Sequence, residues 1–223
     1  MSKHKAVFTP DSEPYIVRES VYQFDQMIIC CLEVNKKAAA FSRSNIKQLS
    51  ELQHAACQLI PHGINIALSI RELVRQGYLL GALVLMRALI ERAAIVSYLC
   101  ETPEAIQLWK DGWKHGKRPS LATMLSTMSE NVDVAAAQEI CNHFNHIVHG
   151  DPIGASHGII TLDNGTPGFS PSKQLNSPDL CDDICFQSLC FLSVLMCRMV
   201  QIFPNSEPAG SSQATSDGTD SKS

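Results

Sequence analysis

Residues 79–100, LLGALVLMRALIERAAIVSYLC, constrain the chain more than any other stretch. The run is long enough to span a bilayer, but Arg87, Glu91 and Arg92 sit near its middle. Each charge would cost about 2.5–3.5 kcal/mol at a membrane centre. The segment is therefore expected to be a buried helix of a soluble protein. Arg87 and Glu91 are four apart and share a helix face, among Leu83, Val84, Met86, Ile90, Ala94 and Ile95. Charges on so apolar a helix need partners, because desolvation costs several kcal/mol per ion. Two readings follow: an internal salt bridge that fixes helix register, or a pair lining a wet cleft. Arg92 points elsewhere and is expected to be solvated.

The 223 residues are 45% apolar and only 18% charged, which excludes a disordered chain and suits one domain with a full core. Periodicity predicts an all-α antiparallel helical bundle. Residues 1–17 read as an extended arm with Pro10 and Pro14 as breakers, 18–203 as the helical domain, and 204–223 as a disordered tail without large apolar residues. Helices are expected over 18–40, over 46–76 with a bend at Pro61 and a stop at Gly77, and over 78–101. The last two should form an antiparallel hairpin. Thr102-Pro103-Glu104 reads as a cap opening a fourth helix to 114, followed by a basic loop at 115–119 and helices over 120–128 and 132–149. A small β-hairpin is expected near 157–171, turning at Asp163-Asn164-Gly165, before a final helix over 178–203.

Residues 1–20 hold no apolar run of signal-peptide length, and the nine cysteines lack metal-hook spacing. A cytoplasmic protein with reduced cysteines in its core is expected, Cys181, Cys185, Cys190 and Cys197 among them, with no membrane association. Lys plus Arg number 18 against 22 for Asp plus Glu, a net charge of −4, so binding to DNA mainly through phosphates is disfavoured.

Residues 141–151, CNHFNHIVHGD, concentrate three of the eight histidines at a helix end. His143, His146 and His149 are spaced by three and drift around the helix. Asn142, His146 and His149 share a face, with Phe144, Ile147 and Val148 as the apolar counterpart. The cluster reads in three ways: hydrogen-bonded, half-buried rings; a nucleic-acid or nucleotide site in which His149 or His146 serves as acid or base near neutral pH; or a metal site of Glu139, His143 and His146. The last lacks the paired histidines and glutamate base of zinc helices. The loop Lys114-His115-Gly116-Lys117-Arg118 could touch phosphates or be a solvated turn. Trp109 and Trp113 could stack on a ligand or pack in the core. The chain carries no phosphate loop, nucleophile elbow or dinucleotide fingerprint.

The pair of long apolar helices, with GALVLMRALIERAAIVSYLCETPE in the second, and the later FNHIVHGDP resemble an uncharacterised bacterial family of HEPN-like (higher eukaryotes and prokaryotes nucleotide-binding) proteins across residues 45–203. The resemblance implies a homodimer, RNA or a nucleotide as ligand, a partner protein from a defence operon, and a place in anti-phage defence or toxin systems. It implies a metal-independent ribonuclease without cofactors, using an Arg, a polar residue and a His. This chain departs from that pattern. Taking His149 as the motif histidine puts Asn142 at the Arg position, followed by His143. An amide cannot stabilise phosphorane charge as a guanidinium does. Arg87, with Glu91 beside it, would have to supply that charge from the neighbouring helix to a site of His149, His146, His143 and Asn142. Otherwise the fold serves as a non-catalytic dimeric binding module.

Overall fold

The computed structural model describes residues 13–116, 118–128, 134–149, 151–169, 173–174 and 176–204. The expected tail from 205 onward and the first twelve residues of the expected arm lie outside the described residues. The chain is all-α apart from one hairpin. Its helices are α1 (Glu19–Ser44), α2 (Glu51–Gln76), α3 (Leu79–Glu101), α4 (Ala105–Lys110), α5 (Leu121–Ser126), α6 (Val134–His149), α7 (Pro152–Ala155) and α8 (Pro178–Ile202). Strands β1 (Ile159–Thr161) and β2 (Pro167–Phe169) pair antiparallel between α7 and α8, with Ile160 opposite Gly168.

Local chemistry sets the helix ends. Ser50 opens α2 with a capping box: its hydroxyl accepts the Gln53 amide at 3.2 Å, and the Gln53 side chain accepts the Ser50 amide at 2.9 Å. This cap overrides the apolar Ile46, which stays exposed in the preceding turn, so α2 starts later than the periodicity suggests. Gly77 closes α2 at φ 81, a left-handed conformation that suits glycine, and the Tyr78 amide returns to the Leu73 carbonyl at 2.8 Å. Pro61 lies inside α2, where the absent N–H leaves the Cys57 carbonyl without an intrahelical donor.

Side-chain pairings fix the directions of the long helices. A Cβ built on Gly63 of α2 would lie 3.5 Å from the Arg92 Cβ of α3, so two positions equally far from the Gly77–Tyr78 turn face each other. Arg71 of α2 grips Asp25 of α1 through two bonds of 2.6 and 3.0 Å, and Ser42 meets Cys57 at 3.3 Å. Thus α1, α2 and α3 alternate in direction, as expected. Helix α8 departs from the antiparallel expectation. It runs parallel to α1: Arg18 and Ser20 bind Asp182 at one end, the Cys31 thiol meets the Leu192 carbonyl midway, and the Phe41 and Phe203 rings meet edge-on at 6.1 Å at the other. It also ends beside the end of α3, where Arg198 bonds Ser97 at 3.4 Å and Glu101 at 2.8 Å. The reason is the long connection over 102–177, which returns the chain to the α2–α3 turn, where the Gln174 amide bonds the Gly77 carbonyl at 2.9 Å.

Residues 13–17 form a turn instead of an extended arm, because Tyr15 buries its ring to 4% exposure. Its hydroxyl donates to the Gln174 carbonyl and accepts the Ser177 amide at 3.3 Å. All nine cysteines are free; Cys31, Cys141, Cys181 and Cys185 are buried, but Cys57, Cys190 and Cys197 are exposed, so part of the α8 set expected in the core faces outward. Helix α8 is long and apolar enough to cross a membrane by length and composition, yet in this fold it packs on α1, α2 and α3 through residues such as Ile184, Leu192 and Leu195.

Two outcomes test this framework. Tyr15→Phe removes the hydroxyl that bonds the Gln174 carbonyl and the Ser177 amide, and urea unfolding should register a loss of about 1–2 kcal/mol. The Arg18 guanidinium holds the Asp182 carboxyl below its ordinary 3.8, with the Ser20 hydroxyl assisting against partial burial. A depressed folded value means that this contribution is complete above the unfolded value and is lost as pH falls through the folded one. Asp182→Asn should therefore flatten the acid limb of the stability profile below about pH 4.

Candidate functional site

The charges on α3 find partners from two directions. Arg87 pairs with Glu91 at 3.4 Å, their side chains 23% and 21% exposed, and Glu91 also receives Arg118 from the basic loop. The salt-bridge reading holds, and of the pair only Glu91, not Arg87, borders a cleft of about 400 Å³. Arg92 is not simply solvated, as expected from sequence. It borders the same cleft, and its Nε donates to His62 Nδ1 of α2 at 3.2 Å. Trp109 and Trp113 close the other side.

The end of α4 aims the tryptophans. Gly112 at φ 71 and Trp113 at φ 56 are successive left-handed residues that reverse the chain, with the Trp113 amide bonded to the Leu108 carbonyl at 2.8 Å. For a bulky residue that conformation costs about 1–2 kcal/mol, which glycine would avoid. Packing of both half-buried indoles against the core offsets the cost and leaves their remaining faces on the cleft. Among the residues that line it, Arg92 and Arg118 outnumber the single carboxylate of Glu91. The cleft therefore joins flat aromatic faces to a local positive charge.

Helix α6 carries the histidines. Ala137, Cys141, Phe144 and Ile147 form its buried stripe, packed on α3 and α5. Val148, expected on that stripe, is 43% exposed because it falls beyond the edge of the contact. Asn142, His143 and His149 face outward; Gln138 donates to Asn142 at 2.9 Å, and the His143 ring meets Phe144 edge-on at 5.1 Å. His146 is half-buried, and its Nδ1 is hydrogen-bonded to Asp151. Asp151 also caps α7, accepting the Gly154 amide at 3.2 Å. In a neutral ring, an ionised Asp151 carboxylate selects the tautomer with the proton on Nδ1 and Nε2 as acceptor.

Arg87 does not complete this group. Its hydrogen bond goes to Glu91, and none joins it to His149 among the described residues. On α6 its charge is felt at Cys141, where burial pushes the thiol up and Arg87 draws it down. His149 lies two turns further along, about 12 Å by helical rise. No group of three or more metal-ligating side chains occurs among the described residues, Glu139, His143 and His146 included.

Sequence reasoning saw the charged pair, the basic loop and the two tryptophans as separate features, and missed His62. The signal that could have joined them was the unpaired demand of Glu91 for a second cation. A family described only as a family of unknown function (DUF5677) matches residues 53–145, a span that contains every residue bordering the cleft but stops before His146 and His149. No curated protein and no solved structure matches the chain.

The dyad depends on close approach of α7 to α6. A Cβ on Gly154 would fall 2.0 Å from the His146 carbonyl oxygen, whereas one on Gly158 would meet nothing within 4 Å. Gly154→Ala should cost at least about 1–3 kcal/mol in urea unfolding and break the His146–Asp151 bond, while Gly158→Ala should be near neutral.

Proposed function

We propose that the protein is a non-catalytic, RNA-binding helical module of the kind the HEPN resemblance implies. The cleft of Trp109, Trp113, Arg92 and Arg118 carries this reading. Single-stranded nucleic acids bind through aromatic faces that stack on bases and cations that meet phosphates. The strained conformation of Trp113 is the kind of local cost that functional sites retain. The net charge of −4 is compatible with it, since the positive charge needed here is local. The absence of a motif Arg before His149, and the engagement of Arg87 with Glu91, favour binding over cleavage. In this reading the protein acts as a dimer within a bacterial defence system, by way of a partner protein.

The His146–Asp151 pair supports a second reading, metal-independent RNA cleavage with His146 or His149 as the acid–base group. The oriented ring of His146 is the specific observation in its favour.

Both tryptophans of the chain border the cleft, so intrinsic fluorescence reports on it directly. Titration with a single-stranded RNA oligonucleotide should quench that fluorescence saturably. Trp113→Ala should weaken binding by roughly five- to a hundredfold, the worth of one stacked base. Arg118→Ala should lower the salt slope by about 0.7. RNA that leaves the fluorescence unchanged at low salt would defeat the binding reading. Incubation of labelled RNA in EDTA decides the second: cleavage that is absent, or that persists in both His146→Ala and His149→Ala, removes it.

A further inference from the structure

A second cavity, of about 260 Å³, opens between the latter part of α1, the first half of α2 and the end of α8, away from the cleft and independent of it. Small side chains make the space: Ala38 and Ala39 on α1 face Ala56 on α2. Ile60, Met199 and Phe203 are buried beneath it and give it an apolar floor. The volume exceeds the roughly 150 Å³ of a dry cavity that takes up benzene. Aspartate and glutamate are absent from its lining, and Arg43 and His54 are the charged or ionisable nitrogen groups at its edge. Arg43 is exposed, and its side chain has no ion pair or hydrogen bond with any described residue.

We propose that this cavity binds a small monocarboxylate with an apolar body, of the medium-chain fatty-acid class. The chain lies on the floor of Ile60, Met199 and Phe203, and the carboxylate meets the Arg43 guanidinium at the mouth. Burial of the chain supplies the affinity. A single guanidinium fork matches one carboxylate, which selects an acid over the corresponding alcohol. Two polar groups of the wall, the Ser42 hydroxyl and the Cys57 thiol, satisfy each other at 3.3 Å and ask nothing of the ligand. Because Cys57 is exposed on that wall, its alkylation reports occupancy.

The test uses the full chain with decanoate and decanol as probes. Equilibrium dialysis should give saturable decanoate binding at one site per chain, with decanol at least about tenfold weaker, the worth of one charge-assisted bond. Arg43→Gln should remove that preference. Decanoate should slow iodoacetamide alkylation of Cys57 and leave the exposed Cys190 of α8 unchanged. Ala39→Trp fills the mouth from an exposed position, so it should abolish binding while the thermal melt by circular dichroism stays that of the wild type. Any one of four results overturns the proposal: non-saturable binding, decanol binding as well as decanoate, equal protection of Cys190, or undiminished binding by folded Ala39→Trp.

Discussion

The burial of α3 on almost every side is the constraint from which the rest of the structure follows. Leu79, Ala82, Ala94, Ile95 and Leu99 are all buried although they are spread over most of the helix circumference, and only the face of Leu80 and Val84 is exposed. One neighbour cannot cover such a surface, so α2, α8, α5 and α6 all pack on it. The three charges in its middle must then be met by whatever lies nearest. His62 of α2 accepts from Arg92, and Arg118 comes down from the loop to Glu91. Covering an apolar helix that carries charges thus builds the polar cleft.

The parallel course of α8 is the second consequence. A bundle that alternated direction throughout would need only short links, but the chain leaves α3 at the end where α8 must also finish. The segment from 102 to 177 makes the return, and it carries the tryptophans, the basic loop, the histidine helix and the hairpin. The elements with polar chemistry lie on this crossover, and the apolar work is done by the four long helices. The two layers are stitched by single polar contacts, among them Arg198 with the Thr127 carbonyl at 3.3 Å and Lys110 with Glu51 at 2.5 Å.

Much of the secondary structure was legible because its signals are local. Gly77 closes α2 through its own hydrogen bonds, Ser120 caps α5, and Asp163-Asn164-Gly165 turns the hairpin. The boundaries that moved did so where two local signals competed, as at Ile46 against Ser50. Exposure was less legible than helix position. Val148, Cys190 and Cys197 read as core residues by periodicity, yet each lies just past the edge of a packing contact whose width depends on the neighbour. Tyr15 read as part of an arm, and its burial depends on Gln174 and Ser177, far away along the chain.

By itself the sequence determined that the fold is helical, that residues 79–100 form a buried helix, and that Arg87 and Glu91 needed either ionic partners or a wet cleft, because periodicity and desolvation act within a few residues of one another. Only the tertiary structure decided what stands opposite those charges. It joined Arg118 and the two tryptophans to α3, drew His146 to Asp151, and kept Arg87 with Glu91 instead of His149. Such choices depend on how a long crossover folds back over the bundle, and no short-range pattern in the chain encodes that path.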